Sequence, residues 1–254
     1  MTFTTTNNSS PKLPLTVIIL AKKDDPGLDR AQKSVMFAAE VLVITKPTPI
    51  TDFSMVRNEA ISQASQPWVL FLDSDEAIAP ESVAEISRLI KQDRCAGIEV
   101  LRRDIFHQRP LYYGEAGLMA LLRLGKKDQL HFTRPVHEVA TVSGEVCTSN
   151  ILIYHHAHPD INQFFDKNRY YAQLAAQDLA QRGQSFSLLK LIFYPPLKFC
   201  CNFFFKLGFL DGWRGFVYAL MMSLHSCWVR VFQYELKLTN QSAPDNPSNE
   251  NNTD

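Results

Sequence analysis

The chain has 254 residues, 46% of them hydrophobic, enough for one substantial core with an appendage. Lys+Arg and Asp+Glu both number 26, so the formal net charge is zero and no overall basic field recommends a nucleic-acid partner. The five cysteines, Cys95, Cys147, Cys200, Cys201 and Cys227, are odd in number and lack C-x-x-C spacing, so they read as reduced structural thiols of a cytoplasmic protein.

Residues 1 to 12 are polar and rich in Thr, Asn and Ser, with no apolar stretch of the kind a signal peptide carries; they read as a disordered tail, as do residues 239 to 254. Leu15 to Leu20 is a β-branched run that predicts a first buried strand, ending in the polar loop Lys22 to Pro26. Asp29 to Ala39 predicts a helix and Val41 to Ile44 a second strand, closed by Thr45-Lys46-Pro47-Thr48-Pro49, which continues neither a helix nor a central strand. Met55 to Ala64 is again helical and leads into Trp68-Val69-Leu70-Phe71-Leu72. Strand, helix, strand, helix, strand is the pattern of βαβ units. The expected fold is α/β with a mostly parallel sheet flanked by helices.

The apolar run at Trp68 stops in Asp73-Ser74-Asp75-Glu76, three acids within four residues. At the carboxyl end of a buried parallel strand, where α/β sheets bind ligands, such carboxylates suit a divalent cation and a phosphate beyond it. The plain alternative is a strand running into a helix, with Asp73 or Asp75 as N-cap. A cap accounts for one acid and leaves the Asp-x-Asp pair. Pro80 to Asp93 then predicts an amphipathic helix with Val83, Ile86, Leu89 and Ile90 on its apolar face. Ala96 to Leu101 alternates like a strand, followed by a basic, aromatic loop with Arg102, Arg103, Phe106, His107, Arg109, Tyr112 and Tyr113. That loop suits an anionic sugar or lipid headgroup, or simply solvent. His155, His156 and His158 follow a strand-like Ile151 to Tyr154; no cysteine or acid lies at zinc spacing, and one of them is expected to reach the sheet edge and a metal-bound phosphate.

From about Leu188 the composition changes. Leu191 to Phe199, Phe203 to Leu210 and Trp213 to Tyr234 are rich in aromatic, Leu and Met residues. Pro195-Pro196, Lys198, Lys206 and Asp211 interrupt the first candidate span, so these segments are expected to lie in the membrane interface rather than cross it, or to cap the sheet or a second copy. The expected division is a catalytic domain at 13 to 187 and a helical extension at 188 to 238.

Together these segments resemble family-2 glycosyltransferases of the GT-A type, most of all the lipopolysaccharide-core glucosyltransferase branch. The resemblance rests on Leu15 to Leu20, on Arg57-Asn58-Glu59-Ala60, on Trp68 to Glu76 and on Val136-His137-Glu138, with Gly208-Phe209-Leu210-Asp211-Gly212 and Gly215-Phe216 near the carboxyl end. It implies transfer of a sugar, with inversion, from a nucleotide diphosphate sugar to a lipid-linked or lipopolysaccharide acceptor at the inner face of the cytoplasmic membrane, with Mg²⁺ or Mn²⁺ on the diphosphate. Asp75 and Asp73 fall at the Asp-x-Asp positions, Asp75 as the metal ligand and Asp73 nearer the ribose, with His137 a further group near the metal. Arg57 and Asn58 match the donor side. The chain departs from the family in two places. No aspartate follows Ile44, leaving Asp52 as the substitute that reads the base, and aligning Leu121-Leu122-Arg123-Leu124-Gly125 with the family's strand puts Ala116 where an acid is usual, so Glu115, then Glu138, are the candidate bases. The alternatives are a family member that keeps the fold and binds without turnover, and a nucleotidyltransferase, which lacks its Gly-rich loop here.

Overall fold

The computed structural model describes residues 12–22, 24–45, 53–133, 139–158 and 160–242. The chain divides into two compact units, Met1–Tyr112 with Ala116–Pro159, and Tyr113–Glu115 with Asp160–Asp254. The change in composition near Leu188 falls inside the second.

In the first unit the strands are β1 (Leu13–Ala21), β2 (Ala38–Thr45), β3 (Trp68–Asp73), β4 (Glu76–Ile78), β5 (Gly97–Phe106), β6 (Arg109–Pro110), β7 (Met119–Lys126), β8 (Leu130–Thr133), β9 (Val139–Val142) and β10 (Val146–His158). The main sheet runs β2-β1-β3-β7-β5-β10-β4, with β6 paired to β5, and β8-β9 form a separate ribbon. β1 pairs in parallel with β2 and β3, and β10 with β5, while β7 and β4 run against their neighbours. The sheet is therefore mixed but mostly parallel, as the GT-A-like expectation requires.

The helices are α1 (Leu28–Ser34), α2 (Phe53–Gln63) and α3 (Ser82–Gln92). Alternation along β1 decides which helix meets which face. Leu15, Val17 and Ile19 pack with Ala31 of α1, with Val35 just after it, and with Ile86, Leu89 and Ile90 of α3. Ile18 points the other way, with Val56 and Ala60 of α2 and Leu130 and Phe132 of β8. Trp68 to Leu72, central in the sheet, is buried throughout.

The expected helix from Asp29 to Ala39 is cut short at Ser34, because Ala38 pairs with Leu13 at the start of β2 and sheet pairing there overrides helical periodicity. Arg102, Arg103 and Phe106 lie on β5 rather than in a loop. Nor are the cysteines all reduced: Cys95 and Cys147, 5.9 Å apart at Cα, form a disulfide where β5 and β10 begin, leaving Cys200, Cys201 and Cys227 free. Spacing in sequence gave no sign of it, since the parallel pairing of β5 with β10 supplies the proximity.

The second unit contains α4 (Ile161–Gln181), α5 (Leu188–Cys200), a π-helical turn at Cys201–Phe205, a 3₁₀ turn at Gly208–Asp211 and α6 (Trp213–Ser242). Asp160 caps α4 by accepting from the Gln163 N–H. Ala172 and Ala176 of α4 pack on Val229 of α6, and the buried Asn168 amide donates to the Met221 carbonyl at 2.6 Å. Contrary to expectation, Pro195 and Pro196 do not end the first apolar segment; α5 runs through both and passes directly into the π turn. The lost donors are tolerated, and the Ser223 hydroxyl satisfies the Pro195 carbonyl at 2.7 Å. Among the described residues two helical stretches are therefore long and apolar enough to cross a membrane by length and composition, Leu188–Phe205 and Trp213–Thr239, only 6% and 28% buried.

Candidate active site at the end of the third strand

β3 ends at Asp73, level with Leu20 of β1, and a two-residue turn leads straight into β4. The next helix starts only at Ser82, so neither Asp73 nor Asp75 caps it. The turn is clasped from the loop after β1. The Ser74 N–H donates to the Leu20 carbonyl at 3.0 Å, and the Ser74 hydroxyl to Asp25 Oδ2 at 2.7 Å. Gly27 belongs to the same clasp: a Cβ there would come within 2.4 Å of the Ser74 carbonyl oxygen.

Asp73 lies between two guanidinium groups. Its Oδ1 accepts from Arg57 at 3.2 Å and its Oδ2 from Arg123 at 2.9 Å. Burial alone would raise the Asp73 carboxyl, but Arg123 and then Arg57 outweigh it and hold the group well below the usual carboxylate range. Arg57, on α2, is buried over the rings of Phe71 and Phe132, 5.2 and 5.3 Å from their centroids. Glu76 opens β4 fully buried; its Oε2 accepts from the Asp73 N–H at 3.0 Å, and its Oε1 faces Arg102 and Arg123, each at 3.7 Å. Burial raises the Glu76 carboxyl despite Arg123.

On the other side of the turn, the His156 N–H donates to the Asp75 carbonyl at 2.7 Å, and His155 pairs across the ladder with Glu76. His155 Nδ1 lies 2.7 Å from Asp104 on β5, and Nε2 lies 3.5 Å from Asp75 Oδ2. Burial would lower this imidazole, yet Asp104 and Asp75 raise it to about 9, so it is a cation at neutral pH. His156 is pushed down to about 4 by burial and by Arg30.

The structure thus assembles Arg57, Asp73 and Asp75 and adds Arg123, Glu76, Arg102, Asp104, His155 and Asp25. Arg123 was visible only as one polar residue in an apolar strand, and Asp104 as one acid among basic neighbours; parallel pairing of β5 with β10 puts Asp104 opposite His155. Asn58 spends both ends of its amide on the backbone of Phe132, at 2.9 Å each. Glu115 belongs to the second unit, where Lys198 and Lys206 both reach its Oε1. Burial opposes the effect, but the two lysines lower its carboxyl. Asp52, His137 and Glu138 lie outside the described residues.

Among the described residues no three His, Cys, Asp or Glu side chains are grouped to hold a metal. Asp73 has both oxygens engaged by arginines, and Asp75 Oδ2 faces His155 at 3.5 Å; the two carboxylates are 33% and 34% exposed.

The chain is similar to several known proteins. The lipopolysaccharide core biosynthesis glycosyltransferase LpsC of Rhizobium meliloti is 24% identical over 248 residues, covering 83% of this chain and 91% of LpsC. The glycosyltransferase RT0209 of Rickettsia typhi is 25% identical over 202 residues, covering 74% of this chain and 69% of its own length. Among solved structures, residues 1–349 of S. aureus TarS in complex with UDP match with a TM-score of 0.38 at 12% identity, covering 89% of this chain and 91% of the other. The model of "Glycosyl transferase family 2" matches residues 24–152, just over half of the chain, and the protein belongs to that family.

Proposed function

We propose that this glycosyltransferase moves a sugar, with inversion, from a nucleotide diphosphate sugar to a lipid-linked or lipopolysaccharide acceptor at the cytoplasmic face of the membrane. The observation that carries the reading is the acidic turn: Asp73 is kept ionised and oriented by two arginines, beside a part-exposed Asp75. Asp75 would hold Mg²⁺ or Mn²⁺, with His137 as a second group. When bound, the ion would neutralise charge developing on the departing diphosphate. Arg57 and Arg123 hold Asp73 in place for the donor's ribose, Asn58 braces α2 against β8 on the donor side, and Asp52 is the candidate to read the base. Glu115 and Glu138 are the candidates for removing the acceptor's proton. The lipopolysaccharide acceptor is supported by the name of LpsC and the membrane surface by the exposed apolar helices of the second unit.

The test is turnover or hydrolysis of UDP-sugars with Mn²⁺. Asp75→Ala is expected to lower kcat by about 100-fold or more; equal rates in variant and wild type would sink the reading. A second reading, a binding protein that keeps the fold without turnover, is favoured by the engagement of Glu115 with two lysines, which weakens it as a base. Calorimetry against a panel of nucleotide sugars separates the two, because heat from turnover of any of them excludes the second.

A further inference from the structure

We infer that Lys198 and Lys206 form a binding site for a doubly charged phosphate carried on an amphiphile, and that Glu115 holds this site shut until the phosphate displaces it. The inference extends the proposed membrane-surface acceptor only in naming a ligand class for the second unit.

Both ammonium groups converge on one carboxylate oxygen, Glu115 Oε1, with Lys206 at 3.5 Å and Lys198 closer. One carboxylate answers one of the two positive charges. A phosphomonoester or diphosphate, with nearly two negative charges at neutral pH, answers both. Lysine also suits a phosphate as a mobile point charge, with three donors free to turn.

The site is built rather than a chance meeting of long side chains. Three consecutive amides tie the Glu115 segment to the helical unit: Tyr113 N–H donates to Asp211 Oδ2 at 3.0 Å, Gly114 N–H to the Lys206 carbonyl at 3.0 Å and Glu115 N–H to Asn202 Oδ1 at 2.9 Å. Gly114 takes φ +72°, which favours glycine, and Asn202, fully buried in the π turn, donates its amide to the Lys198 carbonyl at 3.1 Å. The backbones of both lysines and of the glutamate are therefore fixed by one buried residue and its neighbours, while the charged ends stay part-exposed.

The surroundings point to an amphiphile. Leu197, Phe204, Phe205, Phe209 and Trp213 are all exposed, Phe205 to 83%. From Leu188 to Arg214 there are four basic residues, Lys190, Lys198, Lys206 and Arg214, against the single acid Asp211. Apolar side chains with a local positive excess complement a lipid tail below an anionic headgroup.

The test is retention of the full chain on vesicles of phosphatidylcholine alone, with phosphatidylglycerol, and with phosphatidic acid. Wild type is expected to prefer phosphatidic acid; Lys198→Gln with Lys206→Gln is expected to lose about tenfold in that affinity, and Glu115→Gln to gain several-fold. Folding of each variant is checked by circular dichroism. An unchanged affinity in folded Glu115→Gln overturns the inference, as does a preference for phosphatidic acid that survives loss of both lysines. Release by millimolar inorganic phosphate also overturns it, since the amphiphile would then be unnecessary. Vesicle retention needs no turnover, so failure of the Asp75 experiment leaves this result standing, and the reverse.

Discussion

Asp73 is an anion because of its neighbours, and Arg123 is the larger influence. Arg123→Gln is expected to cost about 2 kcal/mol by urea unfolding, below the ~3–5 kcal/mol of a fully buried broken pair because Asp73 is one-third exposed. A loss under ~0.5 kcal/mol would mean that Arg57 alone suffices. Glu115 gives a pH signature. Its carboxyl is lowered in the folded state, so the stability it adds is present above the unfolded value of ~4.3 and is lost as pH falls through and below it. Glu115→Gln should therefore be less stable than wild type by about 1 kcal/mol at pH 7, with the gap narrowing as pH falls below ~4.3. A pH-independent gap would assign the loss to packing instead of charge.

At the scale of elements, the joint between the 3₁₀ turn and α6 depends on close backbone approach. A Cβ on Gly215 would fall 1.8 Å from the Gly208 carbonyl oxygen, and one on Gly208 would fall 2.6 Å from that of Asn202. Alanine normally favours a helix over glycine by ~1 kcal/mol. Here the clash with fixed backbone exceeds that gain, and Gly215→Ala is expected to lose about 2 kcal/mol and about 5 °C in Tm. A stabilised variant would show that α6 shifts freely. The π turn at Cys201–Phe205 belongs to the same joint: it follows two adjacent prolines and carries the buried Asn202.

For the whole molecule, zero net charge hides an uneven distribution, with the positive excess between Leu188 and Arg214 lying among exposed aromatic residues. A chain that lies on the bilayer is expected to be released from membranes by alkaline carbonate and high salt, whereas one that crosses it stays with the pellet. Retention after both treatments would assign α5 or α6 to a span.

Much of the fold was legible locally. Trp68 to Leu72 declared itself a central strand by being apolar without alternation, and the acids after it marked where that strand ends. The apolar face of α3 and the aromatic carboxyl-terminal region were equally plain, because each is a property of neighbouring residues. What tertiary structure alone decided is which distant groups meet. Arg123, some fifty residues from Asp73, became its main partner because β7 runs antiparallel beside β3. Asp104 met His155, and Cys95 met Cys147, because β5 and β10 run in parallel, and Glu115 met Lys198 and Lys206 through the backbone clamp on Asn202. Periodicity records which face of a strand is buried but not which strand lies next to it. For this protein the sequence by itself determined the kind of fold and the position of the acidic turn; strand order decided the charges around that turn.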